Sequence, residues 1–430
     1  MDLRGRGPTG LNTLDVTDAA ARIAAGEITS EALVADCLDR IAACDDELRA
    51  WAFVDPELAL SQARRCDAVV PSGPLHGVPV GIKDILDTDD MPTEYGSVIH
   101  KGHRPTSDTN CVAVLRQAGA VILGKTATTE FASPVPIGVR NPHNFRRSPG
   151  VSSSGSAAAV ADFMVPVALG TQTGGSVILP SAFCGVFGFK GSLNAIDRAG
   201  IRHLRPSLDT LGFMTRSAKD MAMVYGALTA STVAPRDEAL LPKIALCRTP
   251  WWDSAEPETV TAIETAEREL VSAGAQVVDV ELPRIFDTVV KTFSVISGVE
   301  GGGALEDELT NNFDELNYWI KAGAGAQKDW SDDDYQAAQS HAERCRWALG
   351  DIFYEFDVIL TASTGGEATD DLVEVSDSSF NRVWTLMHGP CVTIPAYTGP
   401  NDMPVGVQVV GRPGDDAKVI EIAGWIARHL

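Results

Sequence analysis

The sequence predicts an α/β fold whose sheet is covered by helices. Short uninterrupted apolar runs, typical of strands buried on both faces, alternate with segments of helical periodicity along the 430 residues. With 44% hydrophobic and 22% charged residues, the composition is that of a globular protein and excludes a disordered or fibrous chain. We find no internal repeat and no interdomain linker, and therefore predict a single domain over residues 1–430.

The elements are predicted in chain order from their periodicity. The first 70 residues are predicted to be helical, because Leu33, Cys37, Ile41 and Cys44 recur at helical spacing. Residues 71–230 carry the chemistry described below and form the predicted catalytic core. Further helices are predicted over 258–273 and from 416 to the end. The predicted strands are short apolar runs at 78–82, 120–123, 165–169, 243–247, 276–282, 358–361, 392–395 and 405–411.

Residues 290–345 differ in character from the rest. Glycines at 301–303 open a polar, acidic segment that also contains Trp319 and Trp330. One interpretation is a helical insertion on the surface. The other is a lid or pocket wall that is hinged at the glycines.

Charge and cysteine usage narrow the class of partner and the compartment. The chain has 35 basic and 58 acidic residues, a net charge of −23, which repels nucleic-acid phosphates and anionic lipid. The eight cysteines are scattered without a CxxC pair, so we expect free thiols in a reducing compartment rather than a disulfide framework. The N-terminus lacks a signal-peptide apolar run, and no stretch reaches about 18 apolar residues. We therefore predict a cytoplasmic protein that binds neither nucleic acid nor membrane.

One motif match is rejected. The segment from Gly119 to Thr126 fits the P-loop pattern, but a phosphate cradle needs a flexible loop between its glycines. The four intervening residues, Ala-Val-Ile-Leu, instead favour a strand. The histidines form no HExxH or HxH pair, so no metal site is predicted, and no GxSxG nucleophile elbow is present.

The informative region is rich in serine and glycine, over residues 148–176. Its first part runs directly into Ala-Ala-Ala-Val-Ala, which places the serines from Ser152 to Ser156 at the N-terminus of a helix. Its second part is a buried type of strand that ends in Thr173-Gly-Gly-Ser176. Two glycines allow backbone N–H groups to turn toward one point, with a hydroxyl beside them. A nucleophile next to an oxyanion hole is what acyl transfer requires.

A nucleophilic serine needs a base, and the candidate is Lys83. It follows an apolar strand in the segment Gly81-Ile-Lys-Asp84. An ordinary lysine has a pKa of about 10.4, so removing its proton at pH 7 costs about 4.6 kcal/mol unless burial lowers that pKa. The alternatives are an ion pair with Asp84 and a side chain that extends to solvent.

Together these segments resemble the amidase signature family. The family has a strand-end lysine in a Gly-Ile/Val-Lys-Asp context, a GGSSGGS-type loop and a GTDTGGS strand–loop that continues to a proline. The corresponding stretches here are Gly81–Asp84, Gly150–Ser156 and Gly170–Pro180. Weaker matches, including Ser207–Gly212, follow in the family's order over about residues 15–430. The resemblance implies a single α/β domain with a central, mixed, twisted β-sheet that is covered by helices on both faces.

The resemblance also implies the roles of individual residues. Ser176 corresponds to the nucleophile, Ser152 to a bridging serine with a cis peptide bond, and Lys83 to the base of a Ser–cisSer–Lys triad. The N–H groups of Thr173, Gly174, Gly175 and Ser176 would hold the oxyanion. No metal or organic cofactor is implied.

Two departures from the family pattern bear on the substrate. Gln172 stands where the family has Asp, and Ile178 where it has Arg, so both charges are missing together. We expect a pocket for neutral groups near Ile178, with Ser153 and Trp384 as further candidate substrate contacts. Val151 replaces a glycine directly before Ser152 and cannot adopt a positive φ without strain.

The resulting hypothesis is an amidase that hydrolyses the C–N bond of a small neutral amide, such as an aryl or alkyl amide or a carbamate, through a serine acyl-enzyme. Two alternatives remain open. One is the glutaminase-type subunit of an amidotransferase, and the other is a non-catalytic binding protein on the same scaffold. The expected partner is the small-molecule amide, and a homodimer is the expected assembly by resemblance.

Overall fold

The fold is organised by one mixed β-sheet of eleven strands. The computed structural model describes residues 10–238, 240–327, 330–370, 372 and 376–430. Within this part of the chain the strands lie side by side in the order β1-β3-β2-β4-β6-β5-β10-β11-β9-β7-β8. Their bounds are β1 Trp51–Val54, β2 Pro79–Lys83, β3 Val121–Thr126, β4 Val167–Gln172, β5 Phe187–Lys190, β6 Thr210–Thr215, β7 Lys243–Leu246, β8 Gln276–Asp279, β9 Val358–Ala362, β10 Cys391–Thr398 and β11 Pro404–Val410.

Helices flank the sheet and bury its apolar strands, which confirms the predicted fold class. The central strands β2, β3 and β4 are almost completely buried, as their continuous apolar sequences predict. The helices are α1 Val16–Ala24, α2 Ser30–Leu48, α3 Pro56–Asp67, α4 Asn110–Gln117, α5 Ser154–Ala161, α6 Ile178–Phe183, α7 Ala218–Thr229, α8 Pro257–Ser272, α9 Val289–Ala304, α10 Glu306–Asn311, α11 Tyr318–Gln327, α12 Asp332–Glu355, α13 Ser379–Leu386 and α14 Asp416–Ala427.

The pairing pattern brings the ends of three strands together. Strand β2 pairs in parallel with β3 on one side and with β4 on the other. Parallel neighbours end at the same edge of a sheet, so Lys83 at the end of β2 and Thr171 near the end of β4 become neighbours. The other half of the sheet is antiparallel around β10 and β11 and parallel around β7.

Most predicted strands are confirmed, and the misses have a local cause. The N-terminal 70 residues are not all helical, because β1 separates α2 from α3 and pairs with β3. Strands β5 and β6 were not predicted. Both are interrupted by glycine, at Gly188 and Gly212, and their pairing partners are distant in sequence. The rejected P-loop segment is strand β3, as expected, and its Lys125 is fully buried.

The segment 290–345 is helical, as predicted, and contains α9, α10, α11 and most of α12. Residues 328 and 329 of this segment lie outside the described residues. Whether the segment moves as a lid stays a prediction.

Other expectations concern thiols and membranes. The eight cysteines are free, and all except Cys66 are buried, as predicted for small core residues. Among the described residues, no helix is long and apolar enough to cross a bilayer. Residues 1–9, on which the expectation of a missing signal peptide partly rests, lie outside the described residues.

A buried ion pair joins the N-terminal helices to the catalytic core. Arg40 on α2 donates from Nη2 to Asp162 Oδ1 at 2.6 Å and from Nε to Oδ2 at 2.9 Å. Asp162 follows α5, the helix whose N-terminus carries the serine loop. The two side chains are only 10% and 5% exposed, and burial, opposed by Arg40, raises the pKa of Asp162. The carboxylate therefore depends on the guanidinium for its charge.

Breaking this pair on one side should cost more stability than removing it entirely. Arg40→Met leaves a buried carboxylate without its cation and is expected to lower the free energy of unfolding by about 3–5 kcal/mol. The double variant Arg40→Met/Asp162→Leu is expected to recover most of that loss. Urea denaturation at pH 7 measures both. A double variant as unstable as the single one would contradict the interpretation.

Candidate active site

Lys83 is the centre of the site. Its side chain is fully buried at the end of β2. The ammonium nitrogen Nζ lies 2.8 Å from Ser152 Oγ and 2.8 Å from Thr171 Oγ1. Lys83 does not pair with Asp84, because that carboxylate turns to Lys125, at 3.2 Å from its Nζ. The ion-pair alternative considered for Lys83 is therefore wrong, and its partners are two hydroxyl groups.

This surrounding weakens the charged form of Lys83. Burial lowers the pKa of Lys83 to about 7, and the carboxylate of Asp209 opposes that shift. A lysine with this pKa is substantially neutral at pH 7 and can accept a proton from a hydroxyl. The desolvation that the sequence argument required is present in the structure.

The serine loop approaches Lys83 from the N-terminal end of α5. Gly150, with φ at +103°, makes the turn, and a Cβ there would lie 2.7 Å from Pro180 Cα. Val151 has no positive φ and packs against Leu179 and Phe183, so its side chain is accommodated where the family has glycine. The expected cis peptide bond at Ser152 is wrong for this structure, since the described residues contain no cis peptide bond.

The turn after β4 presents Ser176 and a row of backbone donors. The N–H groups of Thr173, Gly174, Gly175 and Ser176 donate to no acceptor in the described part of the chain. Unpaired donors are rare in folded proteins, so four consecutive ones are a ready anion-binding surface. Ser176 is partly exposed, and its Oγ forms no hydrogen bond to a described residue, including Ser152. The second link of a relay is therefore not formed here; such bonds often tighten only around substrate.

Gln172 holds this turn in place. Its side-chain oxygen accepts from the N–H groups of Val177 at 2.9 Å and Ile178 at 3.0 Å, at the start of α6. Its amide nitrogen donates to Thr385 Oγ1 at 3.1 Å. Gln172 is 1% exposed, so a neutral amide supplies the buried acceptor that the following backbone needs.

The three predicted substrate contacts are not on a pocket surface. Ile178 and Trp384 are fully buried and pack in one apolar cluster. Ser153 is also fully buried, and its Oγ donates to the carbonyl of Thr171 at 3.2 Å. Their placement corrects the prediction: the long-range packing of α6 and α13 turns Ile178 and Trp384 into the core, where they shape the site without touching its open space.

The open space next to Lys83 is lined by other residues, and we call it the catalytic cavity. It encloses about 350 Å³ free of protein atoms and is bordered by Thr171 and Thr173 on one side. Arg198, His203 and Asp209 line the opposite side. The largest groove on the described surface lies elsewhere, between α7 and α14.

Asp209 is the main site residue that the residue-based argument missed. Its carboxylate accepts a hydrogen bond from Thr173 Oγ1 and from the N–H groups of Leu204 and Arg205, at 2.9 and 2.8 Å. It therefore ties the oxyanion turn to the loop before β6. The signal was present in the match at Ser207–Gly212, but nothing local connects that stretch with Thr173.

Comparison with known proteins identifies the family. The chain matches the family described as Amidase over residues 32–420. A subunit of the glutamyl-tRNA(Gln) amidotransferase of Chloroflexus aggregans is 30% identical, with 96% of both chains covered. Among solved structures, the peptide amidase of Stenotrophomonas maltophilia superposes with a TM-score of 0.84 at 30% identity, over 97% of both chains. A crystal structure of an amidase reaches a TM-score of 0.90 at 27% identity, covering 97% of this chain and 100% of that one.

The chain belongs to the amidase signature family, whose enzymes act on carbon–nitrogen bonds. The resemblance inferred from the short motifs is thereby confirmed. The residue roles that the resemblance implied are taken up as proposals below.

The role of Gln172 leads to a testable prediction. Gln172→Leu leaves two buried N–H groups without an acceptor, which is expected to cost about 1–3 kcal/mol of stability. Because these groups directly follow Ser176, turnover should fall by about 100-fold. Thr385→Val is the matched control, since it removes the other partner of Gln172 and leaves the turn's donors satisfied. Equal losses of turnover in the two variants would contradict this role.

Proposed function

We propose that the protein is a hydrolase of small neutral amides that works through a serine acyl-enzyme. The observation that carries this proposal is the buried Lys83 amine, 2.8 Å from Ser152 Oγ, with its pKa lowered to about 7. A structural lysine has no need of two hydroxyl partners in a dry site. A base for serine chemistry needs these features.

The proposed steps follow from the geometry. Neutral Lys83 takes a proton from Ser152, which takes one from Ser176 as its Oγ attacks the substrate carbonyl. The N–H groups of residues 173–176 stabilise the oxyanion. The proton returns through Ser152 to the leaving nitrogen, the C–N bond breaks, and the acyl group stays on Ser176. Water then attacks the acyl-enzyme with the same relay as base, which releases the acid and restores the serine.

The preference for neutral amides rests on the chemistry around the turn. Gln172 and Ile178 supply no charge where the family has Asp and Arg, so no fixed ion is available there for a charged substrate. The peptide amidase at 30% identity supports a role in amide hydrolysis without a partner protein.

A second candidate is the glutaminase-type subunit of an amidotransferase. It is favoured by relatives that are named as subunits of glutamyl-tRNA(Gln) amidotransferases and match nearly the full chain. The missing charged pair at 172 and 178 argues against it. Hydrolysis of glutamine that appears only after partner subunits are added would decide for this candidate. A non-catalytic binding protein is disfavoured by the polarity and burial of the Lys83 site.

Substitution of each triad residue tests the proposal. Ser176→Ala should lower kcat by about 10⁴-fold or more, and Ser152→Ala and Lys83→Met by about 10²–10⁴-fold, because nucleophile and relay are removed. Hydrolysis of 4-nitroacetanilide measures turnover, and a fluorophosphonate adduct located by mass spectrometry should map to Ser176. Near wild-type turnover in any of the three variants, or a label elsewhere, would refute the relay.

The rate should depend on pH through Lys83. The proton must be off for the amine to act as base, so kcat/KM for 4-nitroacetanilide should fall about tenfold per unit below pH 7 and level off above it. This substrate does not titrate in the range, and circular dichroism at each pH checks that the protein stays folded. An apparent pKa near 10 would mean that Lys83 behaves as an ordinary lysine.

A further inference from the structure

A second cavity lies beside the catalytic cavity and shares two of its walls. We call it the side cavity. The loop 131–133 separates them, because Ala132 lines the catalytic cavity while Phe131 and Ser133 line the side cavity. In the same way Leu204 lines the first and Arg205 the second. A group attached to a substrate in the catalytic cavity therefore has a neighbouring space to enter.

The side cavity is formed largely by the segment 290–345. It encloses about 450 Å³ free of protein atoms and partly open to solvent, within the size range of small-molecule sites. Apolar side chains make up much of its wall: Phe131, Leu305 and Ile320 are buried, and Trp319 closes one side. Glycines on α9 and α11 leave the space between the helices unfilled. This wall fits an apolar group.

One cation faces this apolar space. Arg205 Nε donates to Ser297 Oγ at 2.8 Å, and its guanidinium lies against Gly301, where a Cβ would come within 3.0 Å of Nη2. Its terminal nitrogens donate to no acceptor in the described ranges of the chain. A guanidinium carries five donors in a fixed fork, so most of them are left for another oxygen.

The charges around Arg205 indicate what kind of oxygen that is. Asp209 and Glu300 both act on the charge of Arg205, and the same two carboxylates act on Arg198. Two cations thus face two anions. A carboxylate brought into this balanced group would be an uncompensated charge, whereas a carbonyl oxygen adds none.

We propose that the side cavity is the specificity site for the part of the substrate that is not cleaved, and that Arg205 is the residue that reads it. The substrate class is a neutral amide that carries an apolar side group and a second carbonyl oxygen. This inference rests on the proposed amide hydrolysis for its catalytic consequence, but binding tests it independently.

Three ligands isolate the second oxygen and its charge. N-acetyl-phenylalaninamide has the apolar group and a second carbonyl, 3-phenylpropanamide lacks that carbonyl, and 2-benzylmalonamic acid has a carboxylate instead. Their dissociation constants are measured by calorimetry with Ser176→Ala, which cannot turn them over. The acetylated amide should bind at least tenfold more tightly than either of the others.

Variants of the side cavity separate its two features. With Arg205→Met, also in the Ser176→Ala background, the advantage of the acetylated amide over 3-phenylpropanamide should fall to less than twofold. Arg205→Lys should restore part of it. Gly323 lies on α11 at the rim, and a Cβ there meets no atom within 4 Å. Gly323→Leu should therefore fill the cavity without disturbing the helix and weaken both phenyl ligands at least fivefold.

The matched control is Gly303→Leu. Gly303 lies on α9 and does not line the side cavity, and a Cβ at this position also meets no atom within 4 Å. It should leave all three dissociation constants unchanged. Circular dichroism of each variant checks folding, and 4-nitroacetanilide, which has no group for the side cavity, checks turnover in the Ser176 background.

The outcomes distinguish this inference from the proposed function. A ligand preference that Arg205→Met leaves intact, tightest binding by the carboxylate, or equal effects of the two glycine variants overturns the specificity site even if 4-nitroacetanilide is hydrolysed. Loss of the preference in Arg205→Met together with weaker binding in Gly323→Leu supports it, even if the wild type hydrolyses no amide and the proposed function fails.

Discussion

The structure depends on one buried amine. Lys83 is held away from water, and its pKa falls from 10.5 to about 7. Because the folded-state pKa lies below the unfolded value, the folded protein binds fewer protons, and its stability rises with pH between about 7 and 10.5. Below that window the full shift opposes folding by about 5 kcal/mol. The rest of the fold must supply this free energy, which is the usual relation between a functional site and the scaffold that supports it.

Neighbouring charges are arranged so that this amine stays poorly compensated. Asp84 follows Lys83 directly in sequence, yet its carboxylate pairs with Lys125 from the adjacent strand. Asp209 acts on Lys83 from a distance, while its oxygens accept from Thr173 and from two backbone N–H groups. Hydroxyl groups are left as the direct partners of Lys83. A close carboxylate would stabilise the ammonium and return the lysine to an inert state.

The same economy of charge extends to the turn and to the cavities. Gln172 supplies a neutral acceptor for the backbone after Ser176, and Ile178 packs where the family has a cation, so no buried ion needs a partner there. Farther out, cations meet carboxylates from distant segments, as Arg202 meets Glu308 at 2.7 Å. Such pairs fasten the helices of residues 290–345 to the walls of the catalytic cavity. The segment that varies the pocket is thereby joined to the loops that position the chemistry.

The sequence alone determined the strand–helix alternation, the strand at the false P-loop and the candidate lysine and serines, because these follow from local periodicity and from short motifs with few alternatives. It could not determine the short strands β1, β5 and β6, whose stability comes from partners far along the chain. Nor could it tell that Ile178 and Trp384 face the core, or that Asp209 holds Thr173. Side-chain direction at these positions is decided by how α6, α13 and the loop before β6 pack on the sheet. The lowered pKa of Lys83 is likewise a tertiary property, since only the assembled sheet and serine loop exclude water from its end.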